Sequence, residues 1–249
     1  SFIHHKEEKF IMKLKKIASL ALAGVMAVSM LTACGSNAID EQPPVDNGGD
    51  TTVTGYSAKL QSELSAIAQD KITFSDSTKL NSALEYAVGN VGNDKITQDF
   101  VASVADGGKV TYIETNDASA LGLVVNDLRD ALDVQFAGNK DESGIVNALN
   151  PQSDDKSWAN WYEKNDVNNV LLYVVNDAVN LNNAMDQIAN RIGDDIVKLE
   201  DDFDVDRDGD MDVNYHYTGS VATCTKTYEA GHGMGLHIIA VELVRHIGK

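Results

Sequence analysis

The strongest periodic signal in this 249-residue chain runs over residues 166–196, and it limits the fold more than any other feature. Leu171, Val174, Val175, Ala178, Leu181, Met185, Ile188 and Ile192 recur at spacings of three and four. Those spacings line apolar side chains along one face of a helix. Asn165 or Asp166 stands where a side chain can cap the first turn. The pattern predicts one long helix with a buried face, the spine of the folded part. Two runs rich in Val, Ile, Thr and Tyr follow at 213–227 and 236–247. The Gly-rich stretch 231–235 between them predicts a C-terminal β-hairpin.

Shorter elements precede the spine. Leu60, Leu64 and Ile67 predict an amphipathic helix over 57–70, and 71–74 reads as a short strand. Asp76 or Ser77 caps a helix carrying Leu80, Leu84 and Val88, which Gly92 ends. Residues 97–105 add a helical turn or two. Gly107-Gly108 turns the chain into an alternating strand over 109–115. Leu121, Val124, Val125, Leu128 and Leu132 share one face of a further helix. Only three prolines interrupt the chain, which favours helices over a many-turned sandwich. The expected fold is α+β: a helix cluster with one long central helix, packed on a small, mainly antiparallel sheet that ends in the hairpin.

Residues 1–55 have a different logic. Lys13, Lys15 and Lys16 after Met12 form a positive region, and an apolar stretch over 17–30 follows. A bilayer-spanning helix needs roughly 20 apolar residues, so this stretch reads as a cleaved export signal. It leads into Leu31-Thr32-Ala33-Cys34, a string that resembles the lipobox of bacterial lipoproteins. The resemblance implies cleavage before Cys34 and a diacylglyceryl lipid on its thiol. It implies membrane lipid as a partner and a place on the outer face of the cytoplasmic membrane, at the cell surface, or on the outer membrane if the source is diderm. One acyl chain binds membranes only marginally, so the two chains matter. Residues 1–11, with Glu7 and Glu8, do not suit a signal's start and read as an upstream extension. Residues 12–33 are then the signal, 34–55 the lipidated cysteine with a Gly-, Asn- and Pro-bearing linker, and 56–249 a single domain.

The chain's formal charge is −18, and losing residues 1–33, with five lysines and two glutamates, makes it −21. Such a surface repels nucleic acid and attracts cations. With Cys34 lipidated, Cys224 has no cysteine partner left in the chain. The exported part must therefore hold together by packing or a metal.

Acidic residues crowd the stretch after the spine. Asp204, Asp206, Asp208, Asp210 and Asp212 alternate around Gly209, whose turn lets several oxygens converge on one hard cation. The pattern resembles Asp-rich calcium loops of the EF-hand, dockerin and FG-GAP kinds. It departs from the EF-hand at the twelfth position, where Tyr215 replaces the bidentate Glu, and it leads into a strand. Residues 194–212 carry a local charge of −8. A structural Ca²⁺ and a solvated acidic turn are the two readings of this stretch.

Other candidates carry less chemistry. His216, His232, His237 and His246 fall near the C-terminus at spacings that fit no metal motif. Trp158, Trp161 and Tyr162 can present rings to a sugar, or form a packing face. Asn169, Asn176, Asn183 and Asn190 recur every seven residues along the expected spine. No nucleophile elbow, zinc-protease helix, phosphate loop or dinucleotide fingerprint is present. The leading expectation is a non-enzymatic binding or envelope-interaction module, with an envelope protein or glycan as partner. The alternatives are an envelope hydrolase whose site forms no motif, and a calcium-dependent glycan binder.

Overall fold

The computed structural model describes residues 55–92, 95, 101–102, 107–114, 119–134, 144–150, 165–203, 213–227 and 235–248. Among them are six helices: α1 (Tyr56–Glu63), α2 (Ala66–Lys71), α3 (Thr78–Gly89), α4 (Ala120–Leu132), α5 (Gly144–Leu149) and α6 (Leu181–Val197). Six strands accompany them: β1 (Ile72–Phe74), β2 (Thr111–Ile113), β3 (Val167–Asn176), β4 (Asp202–Phe203), β5 (Val213–Thr227) and β6 (Gly235–Ile247). The α+β expectation holds, and β5 pairs β6 as the C-terminal antiparallel hairpin. The sheet runs β1-β5-β6-β3-β2, with β4 paired to β5 off this path. Only the short β1–β5 pair is parallel among these strands.

Side chains alternate across a strand, so each face of the sheet needs its own apolar cover. On the first face Leu171, Tyr173, Val221, Ile239 and Val241 join α1, α2, α5 and α6 in one buried cluster. On the second, Leu172, Val174, Ala222, Ile238 and Ala240 join α3 and α4 in another. Cys224 lies in this second cluster, 6% exposed, as a small buried side chain does.

The expected spine is corrected in its first half. Residues 167–176 form β3, which pairs β6 on one side and β2 on the other. The helix begins only at Leu181, capped by Asn180, whose side chain accepts from the Asn182 N–H; neither Asn165 nor Asp166 caps it. The physical reason is that a strand buried on both faces shows no alternation. Its unbroken apolar run, Val170 to Val175, mimics a helical stripe when Leu181 to Ile192 continues it. The second half is a helix as expected, with Met185, Ile188 and Ile192 buried.

The first helix also divides. Leu64 takes an extended conformation, and Ser65 caps α2 by accepting from the Ala68 N–H at 3.3 Å. Ala68 then takes the buried position, and Ile67 is 62% exposed. Elsewhere local signals carry through. Ser77 caps α3, every residue named for α4 is buried, and Gly107 and Gly108 use positive φ ahead of β2.

One contact sets the position of the site described next. A Cβ on Gly219 would lie 2.5 Å from the Phe74 ring, so only glycine lets β1 lie flat on β5 here. The Phe74 N–H donates to Gln61 Oε1 at 2.7 Å, and the Ser75 N–H to the Gly219 carbonyl at 2.9 Å. These bonds bring the start of α3 against the hairpin.

Candidate functional site

The second sheet face changes character partway along. On β5 its residues run Cys224, Ala222, then Ser220, Thr218 and His216; on β6 they run Ile238, Ala240, then Glu242, Val244 and His246. On β3, Val174, Leu172 and Val170 give way to Asn168, with Asp166 just before the strand. Register aligns the three changes. Val170, Glu242 and Ser220 are neighbours across the sheet, as are Asn168, Val244 and Thr218, and His216 stands opposite His246. The helices α3 and α4 cover the apolar half, so the polar half lies beyond the start of α3.

A cleft of about 390 Å³ opens there. Ser75, Ser77, Thr78 and Lys79 form one wall, and Thr218, Ser220 and Glu242 the other. Glu242 is only 7% exposed. Among the described residues its carboxylate meets two long donors: Asn168 Nδ2 and Ser220 Oγ, each at 3.4 Å. A carboxylate can accept about four hydrogen bonds, and a buried one is costly when they are poorly filled. Lys79 does not pair with it, donating instead to the Leu132 carbonyl at 3.4 Å.

A tighter chain of bonds flanks the cleft. His246 Nδ1 lies 2.8 Å from Asp166 Oδ2, and its Nε2 lies 2.8 Å from Thr218 Oγ1. The Ile247 N–H donates to the other Asp166 oxygen at 3.3 Å. Partial burial pushes the Asp166 carboxyl up, but the His246 and Ile247 bonds outweigh it and hold the group below the usual carboxylate range. The His216 ring stacks on His246 with centroids 4.9 Å apart. His237 lies on the opposite face, bonded to Thr225 Oγ1 at 2.7 Å, and burial lowers its pKa.

Strand register therefore gathers two of the four histidines, His216 and His246, which no spacing along the chain brings together. Among the described residues, no three His, Cys, Asp or Glu side chains form a group that can hold a metal ion. The Asn row does not survive as a row: Asn169 and Asn176 belong to β3, and Asn183 and Asn190 to α6. Asn169 is buried. His232, Trp158, Trp161, Tyr162 and the acidic series Asp204, Asp206, Asp208, Asp210 and Asp212 lie outside the described residues, as do Cys34 and the export segment. What flanks the acidic series is described: Phe203 pairs Val213, and Asp202 pairs Asn214. The series thus connects two antiparallel strands, where an EF-hand loop connects helices.

Glu242, Ser220 and Thr218 form no local motif, because alternate residues of a strand face opposite sides of the sheet. The signal that marks them is a shift from apolar to polar at alternate positions of both 213–227 and 235–247, visible once the hairpin is paired. No protein-family model matches the chain, and no curated protein and no solved structure matches it.

Proposed function

We propose that this protein is a lipid-anchored, extracytoplasmic binding module whose cleft takes a small polar ligand carrying a cationic amine. The anchoring rests on the export segment and the Cys34 string; the ligand class rests on Glu242. Among the described residues only two long donors reach this buried carboxylate, which leaves it acceptor capacity in a cleft lined also by the Ser75, Ser77, Thr78 and Thr218 hydroxyls, by Asp76 and by Lys79. An ammonium group supplies both the charge and the donors that this carboxylate lacks. The excess of acidic groups over the whole chain draws cations toward the cleft.

Titrating the full chain with glucosamine, lysine and ethanolamine while following backbone amide resonances tests the reading. Shifts confined to residues 75–79, 218–220 and 242–244 are expected for at least one probe, and Glu242→Gln should abolish them. Silence with all three, or shifts that persist in the variant, would contradict it.

Calcium is a second part of the proposal. It is supported by the charge density of 194–212 and by the pairing of β4 with β5 on either side of the acidic series. Bound there, Ca²⁺ clamps the end of α6 to the hairpin. Thermal melting in millimolar calcium should exceed that in chelator, and Asp206→Ala should remove the difference. Equal melting of the unaltered chain in both conditions would refute the site.

A further inference from the structure

We propose that Thr218 is a nucleophile for acyl transfer, with His246 as its general base and Asp166 as the residue that positions His246. The inference rests on the cleft being the ligand site, and it adds chemistry to that site. Three observations carry it. First, the connectivity is that of a nucleophile–base–acid chain: Thr218 Oγ1 to His246 Nε2 at 2.8 Å, and His246 Nδ1 to Asp166 Oδ2 at 2.8 Å. An ionised Asp166 only accepts, so Nδ1 carries the ring proton. Nε2 then accepts from the threonine hydroxyl, which is the polarity the chemistry needs.

Second, the chain is held from outside. The Ile247 N–H bonds the far Asp166 oxygen, and the His216 ring lies against the His246 ring. A surface hydroxyl that merely met a histidine would need no such support. Third, Thr218 lines the cleft, and so do Thr78 and Lys79 in the first turn of the 12-residue α3. First-turn N–H groups have no carbonyl partner within their helix, so this wall offers donors for a developing oxyanion.

The bonds close as follows for a carboxylic ester. Thr218 Oγ forms a bond to the carbonyl carbon while its proton passes to His246 Nε2. The ester C–O bond then breaks, and the departing alkoxide takes that proton, leaving an acyl-threonine. Water attacks the acyl carbon and gives a proton to Nε2. Cleavage of the acyl–Thr218 bond returns the proton to threonine, so ester and water yield acid and alcohol. Thr218 pairs Val244, two residues from Glu242. Such diagonal neighbours stand roughly 7–8 Å apart, so Glu242 selects an ester whose amine lies a few bonds from its carbonyl.

The full chain is treated with a fluorophosphonate probe and, separately, with p-nitrophenyl acetate and the ethyl ester of β-alanine. Phosphonylation is expected on the peptide holding Thr218, with ester turnover above buffer. Thr218→Ser should keep both, and Thr218→Val and His246→Gln should lose both. Asp166→Asn should slow turnover by about 10²- to 10⁴-fold. The loss should fall on kcat and leave KM unchanged, and Asp166→Glu should restore part of the turnover; a merely structural Asp166 would show neither. If Thr218→Val does not fold, Thr218→Ser and His246→Gln decide the matter. Absence of label and turnover, or equal turnover in a folded Thr218→Val or His246→Gln variant, overturns the inference. Amine-induced shifts that persist without turnover leave the binding cleft standing and the nucleophile refuted.

Discussion

Arg245→Ala should lower unfolding stability by about 3–5 kcal/mol, as truncation of a large core side chain does. Arg245 has no exposed surface, an unusual place for a guanidinium. Its aliphatic stem fills the first-face layer. Its charged end sits 4.4 Å from the Tyr215 ring centroid, and Nη1 donates to the Leu149 carbonyl at 2.6 Å. Leu149 closes α5, so this one bond ties α5 to the hairpin. Asn150 continues the tie: it donates to the Lys198 carbonyl at 3.3 Å and accepts from the Glu200 N–H at 3.1 Å, reaching the end of α6. Alanine removes stem, charge and donor together, leaving a void and a carbonyl without its bond. Arg245→Met keeps most of the stem and should cost less, about 1–3 kcal/mol for the unsatisfied carbonyl. Urea unfolding of both variants checks this. An alanine variant within about 1 kcal/mol of the parent would show that Arg245 does not carry this corner.

Leu171→Ala and Leu172→Ala should each cost about 2–5 kcal/mol, and the pair matters more than either alone. Neighbouring residues of a strand point to opposite faces, and here both are buried, one in each cluster. On the single long helix expected from periodicity, Leu171 lies in the stripe and Leu172 outside it. A cheap Leu172→Ala beside a costly Leu171→Ala would favour that helix. Equal large losses, measured by denaturant unfolding, are the strand's signature.

This contrast marks what local pattern conveys and what it does not. Helices α3 and α4 were legible because their stripes face one side and a Ser caps each start. Strands β5 and β6 were legible because Val, Ile and Thr fill long runs on either side of a Gly-rich turn. Strand β3 was not, because a strand covered on both faces loses its period of two. Helix α1 looked continuous with α2 because Leu64 keeps helical spacing; only the Ser65 cap breaks the run. The site was less legible than the fold. Asp166, Thr218 and His246 are far apart in the chain and share no spacing. They meet through register: β3 beside β6, and β6 beside β5. Pairing is a long-range property, so no window of neighbouring residues contains it. Glu242 was hidden for a related reason, since one acid in a chain with 38 Asp and Glu attracts no notice until its burial is known.

The anchor and the cleft make different demands on one chain. A cleft that captures a soluble amine does not need a membrane, whereas the proposed lipid on Cys34 would confine the module to one surface. If Cys34 is lipidated, Cys224 serves only as core, which fits its burial in the second cluster. Mass spectrometry of the chain purified from bacterial membranes addresses the proposal at its root. The expected N-terminal peptide begins at Cys34 and carries the mass of a diacylglyceryl group, and Cys34→Ala is expected to leave the membrane fraction. A mature N-terminus elsewhere, an unmodified Cys34, or a Cys34→Ala variant that stays with the membrane would contradict it.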